Sequence, residues 1–426
     1  MKTNRRKFLQ YSGLTGIGLA GASALKSYAT KEQVRSKNYT QQFNMCGYAA
    51  PKLETVRIGF IGLGNRGPAA VERMTHIDRV FIKALCDIRP EKVKAVKKSL
   101  EGSVHTPVIY TGKEDEWKKL CDRADIDLVY IATPWSLHTP MAVYAMQQGK
   151  HVCVEVPAAK TIDECWQLVE TSERTKKHCI ILENCCYDFF ELLTLNMARQ
   201  GLFGEIVHCE GAYLHTLLED NFSKDKYYDM WRLKENFRNG NLYPTHGLGP
   251  IAQVMNINRG DKMDYLVALS SNDFQMAAMA SELAAKDDFY KPYANKSYRG
   301  NMNTTIIKTN KGHTIMLQHD VTSPNVYSRI HKVSGTKGSC LKYPLESRIA
   351  FGHEDWLSAD DFKKMEQQYT PPIVKKIGEM AKEVGGHGGM DFLMDWRTID
   401  CLRNGLAIDM NVYDAALWSA ISPLSE

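Results

Sequence analysis

No stretch of this chain reaches the roughly 18 consecutive apolar residues that a membrane-spanning helix requires, so nothing in the mature protein is expected to cross a bilayer. Cysteine occurs eleven times but never as C-x-x-C, and no Cys/His set has zinc-ligand spacing, so no metal site is expected. The odd count and the chain length speak against a disulfide framework. Cys86, Cys153 and Cys179 lie in apolar strand-like runs and read as small buried hydrophobes. Acid is missing altogether from residues 1–29, which carry Lys2, Arg5, Arg6, Lys7 and Lys26. Taking those five from the 54 basic residues leaves 49, against 49 acidic ones, and a neutral remainder has no electrostatic footprint for nucleic acid or anionic lipid. Internal repeats are absent, and 44% hydrophobic with 24% charged residues excludes disorder and fibrous folds.

What is present begins with an export signal. Asn4-Arg5-Arg6-Lys7-Phe8-Leu9 precedes a glycine-diluted apolar run from 14 to 25 and the small-x-small site Ser27-Tyr28-Ala29. The order resembles a twin-arginine signal, which exports folded proteins and suits a chain that acquires a cofactor before leaving the cytoplasm. A bacterial periplasmic location is therefore expected, with residues 1–29 as signal peptide.

A length of 426 residues suggests two or three domains on a prior of about 150 residues each. After a polar arm over 30–54, short apolar runs alternate with amphipathic helical ones: strands at 56–61, 80–86, 128–132, 152–154 and 179–182, helices near 68–77, 90–100, 139–148 and 161–176. Such alternation predicts right-handed βαβ units, hence an α/β Rossmann-type doubly wound parallel sheet over 55–183. Beyond 184 the period changes to two, at 206–214, 265–270, 304–308, 314–319 and 329–334, with a helix at 189–199. An α+β domain with a mainly antiparallel open sheet is expected over 184–426, helices covering one face. Apolar helices near 391–403 and 412–420 would pack back on the first domain or close an oligomer interface.

Gly62-Leu63-Gly64-Asn65-Arg66-Gly67 follows the first strand and opens a helix at Pro68. Its glycines permit a tight turn and backbone approach to a pyrophosphate, and the helix N-terminus offers free N–H groups to anionic oxygens. Asp87 ends the second strand twenty residues after Gly67, where a carboxylate accepts from an adenosine ribose and repels a 2′-phosphate, favouring NAD over NADP. Arg89 nearby weakens that preference. The segments 133–138 and 155–157 follow later strands at their carboxyl ends, where they would line the nicotinamide half.

Gly62 to Gly67, Ala132-Thr133-Pro134…His138, Gly149-Lys150-His151-Val152…Glu155-x-Pro157 and Gly201-x-x-Gly204-Glu205-Ile206 together resemble the Gfo/Idh/MocA family of nicotinamide-dependent sugar and inositol oxidoreductases, over 56–425. One departure matters. The family's Glu-Lys-Pro stands here as Glu155-Val156-Pro157, so the acid/base lysine of the typical dehydrogenases is missing. Glu183-Asn184-Cys185-Cys186-Tyr187, Met230-Trp231-Arg232, Tyr243-Pro244-Thr245-His246-Gly247 and Gly385-Gly386-His387-Gly388-Gly389-Met390-Asp391 are similar to glycoside hydrolase family 109, the NAD-dependent α-N-acetylgalactosaminidases. That resemblance implies NAD contacts by Asn65, Arg66, Asp87, Trp135, Ser136, Leu137, His138, Glu155, Val156 and Asn184. It implies sugar contacts by Tyr213, Arg232, Tyr243, Pro244, Thr245, His246 and Tyr327, and a homodimer through the second domain's sheet.

It also implies a glycan substrate bearing terminal α-linked N-acetylgalactosamine. In the similar enzymes, hydride leaves sugar C3, the acidified C2 proton is lost with the C1 substituent, water adds at C1, and the hydride returns. The net reaction is hydrolysis with no net redox change, and neither facing carboxylates nor their fixed separation is needed. The periplasm offers no soluble nicotinamide pool, so a cofactor regenerated in each cycle fits the expected location. His246 is expected to take the C3 hydroxyl proton, because imidazole titrates near neutrality. Tyr187 is assigned proton exchange at C2 or the leaving oxygen; Tyr243 shares either role, and Glu155 orients hydroxyls or His246. From the residues alone Tyr187, Tyr213 and Tyr327 also read as core tyrosines, and His387 and Asp391 as a turn and a helix cap. An exported oxidoreductase with permanently bound NAD(P) and a non-catalytic sugar- or nucleotide-binding protein stay open as alternatives.

Overall fold

The computed structural model describes residues 39–352 and 355–426. The export signal and most of the arm lie outside the described residues. Tyr39 to Gln42 carry no helix or strand, and Phe43 to Glu426 form one compact unit.

Six strands build the first sheet: β1 (Val56–Ile61), β2 (Val80–Asp87), β3 (Val108–Thr111), β4 (Leu128–Ile131), β5 (His151–Val154) and β6 (Cys179–Ile181). Their order is β3-β2-β1-β4-β5-β6, parallel throughout. This is the doubly wound order whose direction reverses at β1, and ligands bind outside the carboxyl ends at that point. Every residue of β4, β5 and β6 is buried, as a sheet covered on both faces demands. The covering helix Ile162–Thr175 starts with a capping box, Thr161 and Glu164 each satisfying the other's backbone N–H. β3 and the helix Glu116–Cys121 were not expected; β3 is a four-residue edge strand with no fully buried residue.

Seven strands follow: β7 (Ile206–Leu214), β8 (Met263–Ser270), β9 (Asn303–Thr309), β10 (Thr314–Asp320), β11 (His331–Gly335), β12 (Gly338–Lys342) and β13 (Arg348–Phe351), in the order β13-β12-β11-β7-β10-β9-β8. All pairings are antiparallel except β7 with β10. The helix Thr245–Val254 lies on one face of β7, so close that a Cβ on Gly211 would meet the Gly247 carbonyl oxygen at 2.6 Å. On the other face Tyr265, Val267, Leu269 and Ile306 are exposed.

The C-terminal helices return to the first sheet. Met390–Asn404 packs on the helix Gly67–Thr75 and on β1, and Val412–Leu424 packs on Ile162–Thr175 and β6. All eleven cysteines are free and ten are buried, consistent with the absence of a disulfide framework.

Candidate active site

The dinucleotide half is assembled at the carboxyl ends of β1 and β2. Gly62 has φ +91°, and a Cβ there would meet the Ala132 carbonyl oxygen at 2.5 Å. A Cβ on Gly64 would meet only the Arg89 guanidinium, at 3.3 Å, so the loop presents an open concave backbone toward the crevice. Gly67 lies against the Gly62 carbonyl and admits no side chain. Behind the loop, Asp87 Oδ2 accepts from the Leu63 N–H at 2.7 Å, and Oδ1 accepts from the Arg89 N–H and Nε at 2.9 and 3.2 Å. These are the features of a pyrophosphate and ribose cradle, and the residues fit a nicotinamide dinucleotide. Asn65 reaches across to donate to the Lys226 carbonyl at 2.9 Å.

Arg66 ties the halves together. Its Nε donates to Glu155 Oε1 at 3.1 Å and its Nη1 to Asp391 Oδ2 at 3.2 Å. Asp391 also accepts from Asn184 Nδ2 at 2.5 Å and meets His387 Nδ1 at 2.9 Å. Burial works to raise the Asp391 carboxyl, but His387, Arg66 and Arg73 outweigh it and hold the group below the usual carboxylate range. The Gly-rich 385–391 segment, read from sequence as a turn and cap, thus delivers a charged partner to the cofactor loop. His138 departs from expectation in another way. Its ring is buried, with Nδ1 2.7 Å from the Pro157 carbonyl and Nε2 2.8 Å from that of Thr133, so it stitches two loops rather than facing the crevice. Val156 is buried beside it, while Ser136 and Leu137 are exposed.

On the sugar side, residues far apart in sequence meet. His246, in the first turn of the helix Thr245–Val254, touches Tyr243 and Tyr213 edge to face at ring separations of 4.8 and 5.3 Å. Tyr213, near the end of β7, lies 4.8 Å from Tyr243 and 6.3 Å from Tyr327. Tyr243 stacks at 5.6 Å on Trp135 from the first domain. The Arg232 guanidinium sits 5.4 to 5.7 Å from the rings of Tyr227, Tyr243 and Trp135, its Nη1 3.5 Å from the Tyr227 hydroxyl, and no carboxylate among the described residues pairs with it. A cation boxed by aromatic faces without a counter-ion is free to hold a ligand oxygen. Pro244 and Thr245 are buried under this cluster as the start of the helix.

Glu183, at the carboxyl end of β6, was missed by sequence reasoning although its place beyond a strand end was the available signal. Its fully buried carboxylate sits 2.8 and 3.0 Å from His246 Nδ1 and accepts the Cys185 N–H at 3.1 Å. Burial pushes this carboxyl up, but the facing imidazole prevails and keeps it below its ordinary value. Nδ1–H bound to Glu183 leaves Nε2 as the free basic nitrogen. Glu183, Cys185 and His246 place their donor atoms within 4.8 Å of one another, the arrangement among the described residues that could hold a metal.

Tyr187 does not join this cluster. It is buried, and its hydroxyl donates to Asp409 Oδ2 at 3.1 Å, where Arg397 grips the same carboxylate at 2.9 and 3.0 Å. That network lines a separate cavity of about 390 Å³. The 184–187 turn aims Asn184 at Asp391 but Tyr187 at Asp409, which corrects the expectation of a shared catalytic centre.

A doubly wound sheet with a dinucleotide cradle, joined to an open-sheet domain that lines the same crevice, defines a nicotinamide-dependent protein of the Gfo/Idh/MocA oxidoreductase-like fold. The oxidoreductase family model, NAD-binding Rossmann fold, matches residues 56–182, and the model of the glycosyl hydrolase 109 C-terminal domain matches 187–426. Over 424 residues the chain is 47% identical to glycosyl hydrolase family 109 protein 1 of Bacteroides fragilis, covering 96% of this chain and 89% of that one. It is 49% identical over 393 residues to an alpha-N-acetylgalactosaminidase of Bacteroides fragilis, covering 90% and 91%. The fold is also similar to that of a levoglucosan dehydrogenase in complex with NADH and levoglucosan, with a TM-score of 0.62, 17% identity, and coverage of 87% and 96%. The chain belongs to glycosyl hydrolase family 109 and is a glycoside hydrolase with a nicotinamide cofactor.

Proposed function

We propose that the enzyme releases terminal α-linked N-acetylgalactosamine from glycans, with NAD as a cofactor that each cycle restores. The observation that carries this reading is the state of the crevice carboxylates. Asp87 is held by Leu63 and Arg89, Glu155 by Arg66, Asp391 by Arg66 and Asn184, and Glu183 by His246. Ordinary glycosidases need two carboxylates free to act on the glycosidic oxygen and the anomeric carbon. Here the group poised for proton transfer is an imidazole flanked by phenols.

A nicotinamide dinucleotide held by the Gly62 to Gly67 loop and Asp87 would supply a reversible hydride acceptor for sugar C3. His246 Nε2 accepts the C3 hydroxyl proton and later returns it, while Glu183 fixes the tautomer and stabilises the imidazolium. A ketone at C3 makes the C2 proton acidic, and its removal expels the C1 oxygen before water adds at C1. With Tyr187 turned to Asp409, we assign the C2 and leaving-oxygen protons to Tyr243, with Glu155 as the nearby carboxylate that orients hydroxyls. Arg232, Tyr213 and Tyr327 hold the sugar. Asp87, occupying the ribose position, favours NAD over NADP, and the basic, acid-free first 29 residues favour export to the periplasm.

The test is hydrolysis of an aryl α-N-acetylgalactosaminide in deuterated water. Deuterium at C2 of the released sugar without accumulated NADH supports the reading, and clean hydrolysis with no label at C2 removes it.

A further inference from the structure

We propose that Glu183, Cys185 and His246 form an inhibitory zinc site. The carboxylate, thiol and imidazole donor atoms all lie within 4.8 Å of one another, and Glu183 and Cys185 are fully buried. His246 keeps 13% of its side chain exposed and provides the way in from the crevice. A tetrahedral zinc bound at about 2.0–2.1 Å by nitrogen and oxygen and 2.3 Å by sulfur separates its ligands by roughly 3.3–3.8 Å. The Glu183 and His246 atoms, now 2.8 Å apart, need open by only about half an ångström to reach that spacing. The ion then takes the place of the proton that lies between carboxylate and imidazole, so the buried carboxylate never loses its cationic partner.

Cys185 supplies the soft ligand that selects zinc over magnesium or calcium. Burial holds the Cys185 thiol well above its ordinary value and Arg329 beside it only opposes this, the guanidinium being neutralised by Asp188 at 2.7 Å and Glu191 at 2.9 Å, so the zinc ion itself supplies the charge that displaces the thiol proton. Binding releases the thiol proton and shifts the imidazole proton from Nδ1 to Nε2, so affinity rises with pH. With its proton then on Nε2, the imidazole no longer accepts a proton from substrate. That last step rests on the catalytic role given to His246; the site itself does not.

The experiment titrates the chelator-dialysed enzyme with zinc chloride by calorimetry, in two buffers of different ionisation enthalpy, and follows glycoside hydrolysis in parallel. One zinc per chain, close to one proton released, and turnover lost with the same midpoint and restored by EDTA is the expected result; magnesium and calcium leave the rate unchanged. Cys185→Ser weakens zinc about tenfold or more, each variant being compared with its own zinc-free rate; Cys185→Ala does the same if the serine variant fails to fold. Absence of saturable binding, or equal affinity in the cysteine variants, overturns the site. Zinc binding that depends on Cys185 yet leaves turnover intact upholds the site and overturns the role of His246.

Discussion

The two halves of the crevice are built in opposite ways. The dinucleotide half comes from a contiguous loop, Gly62 to Gly67, with Asp87 behind it, and its chemistry lies largely in backbone N–H groups and the absence of side chains. The sugar half gathers Glu183, Tyr213, Arg232, Tyr243, His246 and Tyr327 from a strand end, a strand, two helix starts and two loops, and its chemistry lies wholly in side chains. A loop set by local sterics tolerates little change but is simple to encode. A cluster set by packing depends on every element beneath it.

That contrast predicts that the halves fail separately, and the largest separation comes from His246→Ala. Loss of a positioned proton-transfer group should lower turnover roughly a thousandfold, about 4 kcal/mol, while NAD content per chain stays at the wild-type level. Parallel loss of both would show that the halves are not independent.

Acid should strike the sheet beneath the dinucleotide half next. His178 is buried, stacked at 5.1 Å on His151, and burial together with Lys177 lowers its imidazole to about 4. Since the unfolded chain takes up the proton near 6.5, stability from this group is complete above 6.5 and is lost as pH falls toward 4, by up to about 3 kcal/mol. Thermal unfolding compared between about pH 7, above the window, and about pH 4.5, near its lower end, checks this. His178→Phe, which keeps the ring stack, should lose much of the acid sensitivity; an unchanged slope would discount His178.

Gly62→Ala is the mirror image of the first variant. A Cβ driven against the Ala132 carbonyl at positive φ should cost about 1–3 kcal/mol, read as a tenfold or greater rise in NAD dissociation, with activity recovered at saturating NAD. The smallest effect belongs to Tyr187→Phe. Removing one hydrogen bond to Asp409 should cost about 1 kcal/mol of stability and leave turnover within roughly fivefold. A loss near that of His246→Ala would return Tyr187 to the catalytic centre and undo the division between its cavity and the crevice.

Legibility followed the same division. β1 and the helix Phe189–Arg199 stand where their residue patterns put them, because apolar alternation and a terminating glycine act locally. β3 escaped notice as a half-exposed edge strand, and the helix Ala359–Tyr369 because none of its residues is buried. Glu183, Asp391 and Tyr187 stood in recognisable runs, but their partners could not be read locally: His246 and Asp391 lie 63 and 207 residues beyond the partners they meet.

The order of residues alone thus determined the dinucleotide loop, the acid behind it, the parallel sheet and the family, since each depends on spacing within a turn or a strand. Only the tertiary structure decided which carboxylate holds His246, which tyrosines surround it and which cysteine lies beside them. A side chain's neighbours across a crevice are fixed by how sheets and helices pack, and nothing in local backbone preference specifies them.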